Sequence, residues 1–173
     1  MSMQTYDKKS IAFHWVSAAL VLLLWVIGQT IDWFPKGDPR VIVRSLHITF
    51  GSCLGIVLFA RIYWRRTAGT KLPAADQGIK GKAAIGTHHL LYALMAIIVI
   101  VGFACVWIRG DSIFGLFKVP AFDPTNRELR KTAVDFHGLL ANILLALASV
   151  HAAAALWHHF LLKDSVLARM CLP

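Results

Sequence analysis

Four apolar runs, over 11–31, 41–63, 83–108 and 132–162, dominate the chain, with short polar stretches between them. Each reaches the length of about 20 residues that an α-helix needs to cross roughly 30 Å of hydrocarbon. The pattern predicts an all-α membrane protein, a four-helix transmembrane bundle, with helices over about 10–33, 41–64, 83–108 and 132–162. Lys8 and Lys9 precede the first run, and Arg61, Arg65 and Arg66 close the second. Trp33-Phe34-Pro35 supplies an interfacial anchor and a helix stop after the first. A basic start before an apolar run is also the form of a signal peptide. The length of this run, the lack of a small-x-small cleavage site, and His14 and Gln29 within it predict a retained span instead. The stretch 66–82, rich in Gly, Pro and Lys, reads as a polar loop. The stretch 109–131 is the longest loop; with Pro120, Pro124 and several aromatics, it is expected to lie over one membrane face. The whole of 1–173 reads as one domain, without an internal repeat.

Composition agrees with the spans: 57% of residues are hydrophobic and 16% charged. The formal net charge of +9 then belongs to basic flanks facing anionic lipid, and nucleic acid is not an expected partner. Four spans place both termini on one side. The 18 Lys and Arg lean slightly to that side, which predicts cytoplasmic termini. Cys53, Cys105 and Cys171 are far apart and form neither a Cys-x-x-Cys-His haem-attachment motif nor a Cys-x-x-Cys zinc pair.

The unusual feature is eight histidines in so apolar a chain. His137 and His151 stand fourteen residues apart in the last run. Fourteen residues are nearly four helical turns, so both rings point one way, about 21 Å apart along the axis. Depth supplies a partner for each. His47 enters the second run at the level of His137, and His14 enters the first at the level of His151, which predicts two bis-histidine sites stacked across the bilayer. Gly28, Gly51 and Gly55, with Ala141, Ala148 and Ala155, leave room on these faces for a flat, bulky group. Small residues also serve close helix packing, and an intramembrane histidine also serves as a proton relay. His88 is an alternative to His14 at the inner level. Arg61, fourteen residues after His47, and Arg130, seven before His137, are placed to pair with acidic groups of a bound cofactor, one at each level.

Zinc favours four tetrahedral ligands, often with cysteine or carboxylate. Two opposed imidazoles with neither suit the axial positions of a b-type haem. The ligand set predicted is His14 with His151 and His47 with His137, around two haems b. Arg61 and Arg130 then become haem propionate candidates. Iron with both axial positions filled has no place for oxygen, so the task expected is outer-sphere electron transfer.

These residues resemble the bacterial cytochrome b561 family, in its short four-helix di-haem form. The carriers are Ala12-Phe13-His14-Trp15, Leu46-His47-Ile48 with Gly51, Trp64-Arg65-Arg66, Asn126-Arg127, Phe136-His137, and the stretch from His151 through Trp157-His158-His159 to Asp164. The resemblance runs nearly end to end. It implies the same two ligand pairs, a bacterial inner-membrane location and, as in close relatives, oxidation of superoxide with delivery of electrons to ubiquinone. It places His158 at the quinone end, where an imidazole could supply a proton. For that activity Arg40, Arg44, Lys118, Arg127, Arg130 and Lys131 are candidates to steer the superoxide anion on the outer side. Asp32, Asp38, Asp111, Asp123, Glu128 and Asp135 dilute them. Two other readings stay open. One is a cytochrome subunit passing electrons between a dehydrogenase or hydrogenase partner and the quinone pool, docked through the 109–131 loop. The other is a haem-free proton or ion transporter that uses the intramembrane histidines.

Overall fold

A computed structural model describes residues 5–73 and 78–171. It contains four long helices: α1 (Lys8–Thr30), α2 (Asp38–Thr67), α3 (Gly78–Arg109) and α4 (Arg127–Trp157). All four are long and apolar enough to cross a membrane. Consecutive helices are antiparallel, α1 packing chiefly on α2 and α3 on α4, while contacts between α2 and α3 and between α1 and α4 close the ring. One polar bond crosses the α1–α4 seam, from Trp25 Nε1 to Asn142 Oδ1 at 2.9 Å.

Local chemistry explains the helix ends. Asp7 caps α1, accepting from the Ser10 amide at 2.9 Å, and a 3-10 turn over Ile31–Trp33 ends that span. Pro39 sits in the first turn of α2, where its missing N–H costs nothing, and Arg65 and Arg66 occupy the last. Asn126 caps α4, accepting from the Leu129 amide at 2.9 Å. Each helix starts before the position the hydropathy pattern predicts, α1 and α2 by two or three residues and α3 and α4 by five. α3 begins at Gly78 rather than near 83, so part of the expected 66–82 loop is helical. α4 begins at Arg127 rather than near 132. In both, a polar first turn or two extends beyond the apolar run. Lys80 and Lys82, or Arg130 and Lys131, keep their charges in water at no cost to the helix.

The connections define two ends. The loop end carries 31–37 and 110–126. There Ser112–Ile113 (β1) pairs antiparallel with Phe117–Lys118 (β2), a hairpin not expected from the sequence. Phe114 (φ 51°) and Gly115 (φ 72°) make its turn, closed by the Leu116 amide on the Ile113 carbonyl at 2.9 Å. The fully buried Ser45 of α2 anchors it, its hydroxyl accepting from the Phe114 amide at 2.8 Å. Gly110 turns the chain out of α3 with φ 66°, and a Cβ there would stand 2.8 Å from that of Ala121. At the terminus end α4 finishes in one π-helical turn, His158–Leu162, stopped by Lys163 in the left-handed conformation. The following residues fold back: Trp15 Nε1 donates to the Met170 carbonyl at 2.8 Å and the Tyr6 amide to that of Arg169 at 3.0 Å.

The buried core is a layer at mid-depth. Leu58, Met95, Ile98 and Leu144 form it, flanked by Val21, Leu94, Leu140 and Ala141. Leu144 lies seven residues, about 10 Å, from each of His137 and His151. The layer thus separates two ends of the bundle interior. Outside, large apolar residues such as Leu22, Ile56, Phe59, Ile100 and Val150 are exposed, as a lipid-facing surface requires.

Candidate functional site

The four intramembrane histidines meet in two pairs, one towards each end of the bundle. The His14 and His151 centroids are 6.3 Å apart with planes inclined at 67°. Those of His47 and His137 are 6.1 Å apart at 77°. Two imidazoles on opposite sides of one metal, each about 2.0 Å from it, leave their centroids about 6 Å apart. Both separations fit that arrangement.

The loop-end pair lines an apolar cavity that reaches all four helices. Its walls include Leu24 and Gly28 of α1, Gly51 of α2, Gly102 of α3 and Gly138 of α4. A Cβ on Gly28 would lie 3.3 Å from Cε1 of His47, and one on Gly102 would lie 3.2 Å from Cε1 of His137. The two glycines therefore let each ring lie back against a neighbouring helix. Nδ1 of both rings is buried with no hydrogen-bond partner. Both nitrogens lie on the glycine side of the ring, 3.7 Å from where a Cβ would stand.

A polar vestibule opens from this cavity at the loop end. Arg44, Arg109, Arg130 and Lys131 line it, with Asp32, Asp111 and Asp135. Asp111 is 7% exposed and lies 3.5 Å from Arg44 and 3.4 Å from Arg109. Burial pushes its carboxyl upward, against the opposing pull of Arg109 and Arg44. Of the residues considered for steering, Arg44, Arg130 and Lys131 reach the vestibule, while Arg40, Lys118 and Arg127 stand outside its lining. Arg40 is held by Asp32 at 3.1 Å and by the Asp32 and Phe34 carbonyls. Lys131 pairs with Asp135 one turn along α4. Arg130 donates to the Pro124 and Asn126 carbonyls and so braces the start of α4.

At the terminus end Arg61 reaches the histidine pair, with a guanidinium nitrogen 3.0 Å from Nδ1 of His14 and its carbon 4.9 Å from the Tyr92 ring centroid. His88 of α3 joins this group, its centroid 5.1 Å from that of His151. His158 lies beyond, its Nδ1 bonded to Asp164. Burial raises the Asp164 carboxyl, but the bonds from His158 and the Val166 amide outweigh it and hold the group below its usual range.

Sequence reasoning missed Gly102, Arg109 and Tyr92, and placed Asp111 only as one of six acids on the outer side. A signal for Gly102 was present, since it follows His88 by fourteen residues as Gly28 follows His14. Arg109 and Asp111 flank the end of α3, and only the fold brings them to Arg44.

The chain matches the family model for prokaryotic cytochrome b561 over residues 5–172. It is 29% identical to cytochrome b561 homolog 1 of Escherichia coli, over 97% of each chain. It is 31% identical to a probable superoxide oxidase, CybB, of Yersinia pestis, over 95% of this chain and 94% of that one. It is 28% identical to a cytochrome b562 of Cereibacter sphaeroides, over 97% and 96%. The family implies b-type haem, and the facing imidazoles and the glycine-walled chamber fit such a group. The chain belongs to the prokaryotic cytochrome b561 family, a membrane-spanning b-type cytochrome for electron transfer.

Proposed function

We propose that this cytochrome oxidises superoxide at its loop end and delivers the electrons to ubiquinone at its terminus end. The observation that carries the reading is the stacking of two histidine pairs across the bundle, one of them below a vestibule with basic walls. The likeness to a probable superoxide oxidase supports it. His47 and His137 would hold one haem b, and His14 and His151 the other. Bound there, a b haem would supply a one-electron couple. Two superoxide anions give up one electron each and leave as dioxygen. One ubiquinone takes both electrons and two protons.

The residues of the chain do the remaining work. Arg44, Arg109, Arg130 and Lys131 outnumber the three acids of the vestibule and draw a small anion towards the cavity. The apolar core at mid-depth keeps water from linking the two ends. Arg61 offers a positive charge beside the terminus-end pair, and His158, backed by Asp164, hands a proton to the reduced quinone. The loop end faces the periplasm and both termini the cytoplasm, in the inner membrane.

Purified protein should contain two haems with bis-imidazole spectra, and His14→Ala, His47→Ala, His137→Ala and His151→Ala should each disturb one. Superoxide should reduce the loaded protein rapidly, with ubiquinone restoring the oxidised spectrum. Superoxide decay unchanged by the protein would sink the enzymatic reading. A tightly co-purifying dehydrogenase, together with inert superoxide, would point to an electron-carrying subunit.

A further inference from the structure

Arg44 and Arg109 stand closer to the loop-end chamber than an outer steering charge needs to. Arg44 precedes His47 by three residues on α2, and Arg109 follows Gly102 by seven on α3. Each therefore lies on the face of the loop-end chamber and nearer the membrane surface. Both line the apolar cavity and the vestibule alike, and so form the rim between them. Their shared counter-ion is the single buried carboxylate of Asp111, at 3.5 and 3.4 Å. Those separations exceed the 2.7–2.9 Å or so of a charge-assisted hydrogen bond. Two guanidinium groups on one carboxylate leave a net positive charge. Nε of Arg44 is, in addition, a buried donor with no hydrogen-bond partner. A second carboxylate at the rim would satisfy that donor and the charge together. Arg130, the candidate from sequence, is already committed to the Pro124 and Asn126 carbonyls.

We propose that Arg44 and Arg109 grip a propionate carboxylate of the haem at the loop-end site, and that Asp111 is the positioning residue holding the two guanidinium groups at the rim. This rests on the reading that His47 and His137 bind that haem. Any small oxyanion in the vestibule would meet the same donors, so the test must separate cofactor from substrate.

Arg44→Gln, Arg109→Gln and Asp111→Asn are purified with haem bound. Haem content, the rate of haem transfer to excess apomyoglobin, and the two midpoint potentials are then measured. Each arginine variant should speed the loss of one haem by on the order of tenfold and lower the midpoint of that haem. Asp111→Asn, which removes a negative charge, should raise the same midpoint. The terminus-end haem should be retained unchanged, which also reports that the bundle is folded. Unaltered haem loss and midpoints in the Arg44→Gln/Arg109→Gln protein would overturn the proposal. If superoxide oxidation alone slowed, the arginines would serve the substrate instead, which likewise overturns it. Retention of both haems by His47→Ala would instead sink the underlying ligand assignment, whatever the arginines do.

Discussion

At the scale of single residues, the chamber depends on what is absent from Gly28 and Gly102 as much as on the imidazoles. A methyl group at Gly102 would force the His137 ring to give by a few tenths of an ångström, and a larger side chain would crowd that ring or the cavity Gly102 lines. Gly102→Val should therefore release the loop-end haem, leaving roughly half the wild-type content if each pair holds one. A haem-to-protein ratio on purified protein measures this, and full retention would contradict the role given to the glycine. How legible such residues are depends on whether one helix carries the signal. The spacing of His137 and His151 can be read directly because 3.6-residue periodicity is local. That His14 meets His151 and His47 meets His137 follows from depth, since a bilayer gives each span a common ruler. The rim of Arg44, Arg109 and Asp111 had no such ruler, because three elements contribute to it and the turn at Gly110 decides where Asp111 points.

Among the elements, the ends of the helices carry most of the specific polar chemistry. Asp7 accepts from the Ser10 amide and hydroxyl, Trp64 Nε1 and the Thr70 amide, at 2.7–2.9 Å. It thereby ties the start of α1 to the end of α2. Burial raises its carboxyl, but these four donors outweigh it and hold the group well below the usual carboxylate range. A depressed folded-state pKa adds stability above the unfolded value, near 4, and that stability is lost as pH falls towards the folded one. Asp7→Ala should cost about 1 kcal/mol through the lost cap alone and should flatten the acid side of the melting profile, read by circular dichroism in detergent. At the other end, Gly110→Ala combines a left-handed backbone with a methyl clash on Ala121. A loss of about 1–3 kcal/mol is expected in thermal melts, with the hairpin at Ser112–Lys118 disturbed. The early starts of α3 and α4 and the two-residue strands were hidden from hydropathy for different reasons. Polar first turns look like loop when only apolar runs are counted, and strands this short have no periodicity to read.

At the scale of the whole molecule, charged side chains gather at the two ends of the bundle. The mouth of the loop-end cavity has four basic residues against three acids. A reaction that begins with anion capture there should slow steeply as salt rises from low ionic strength to a few hundred millimolar. Stopped-flow haem reduction by superoxide tests this, and a rate indifferent to salt would remove steering from the mechanism. The layer formed by Leu58, Met95, Ile98 and Leu144 has a separate consequence. Apolar and midway along the four spans, it falls where a membrane potential drops most steeply. With the loop end outside, as proposed, an electron carried from that end to the terminus end would move against a potential that is negative inside. The work is about 2.3 kcal/mol for each 100 mV across the full membrane. Reconstituted with its loop end outward, the protein would behave as a voltage-dependent resistor, its turnover falling as the vesicle interior is made more negative.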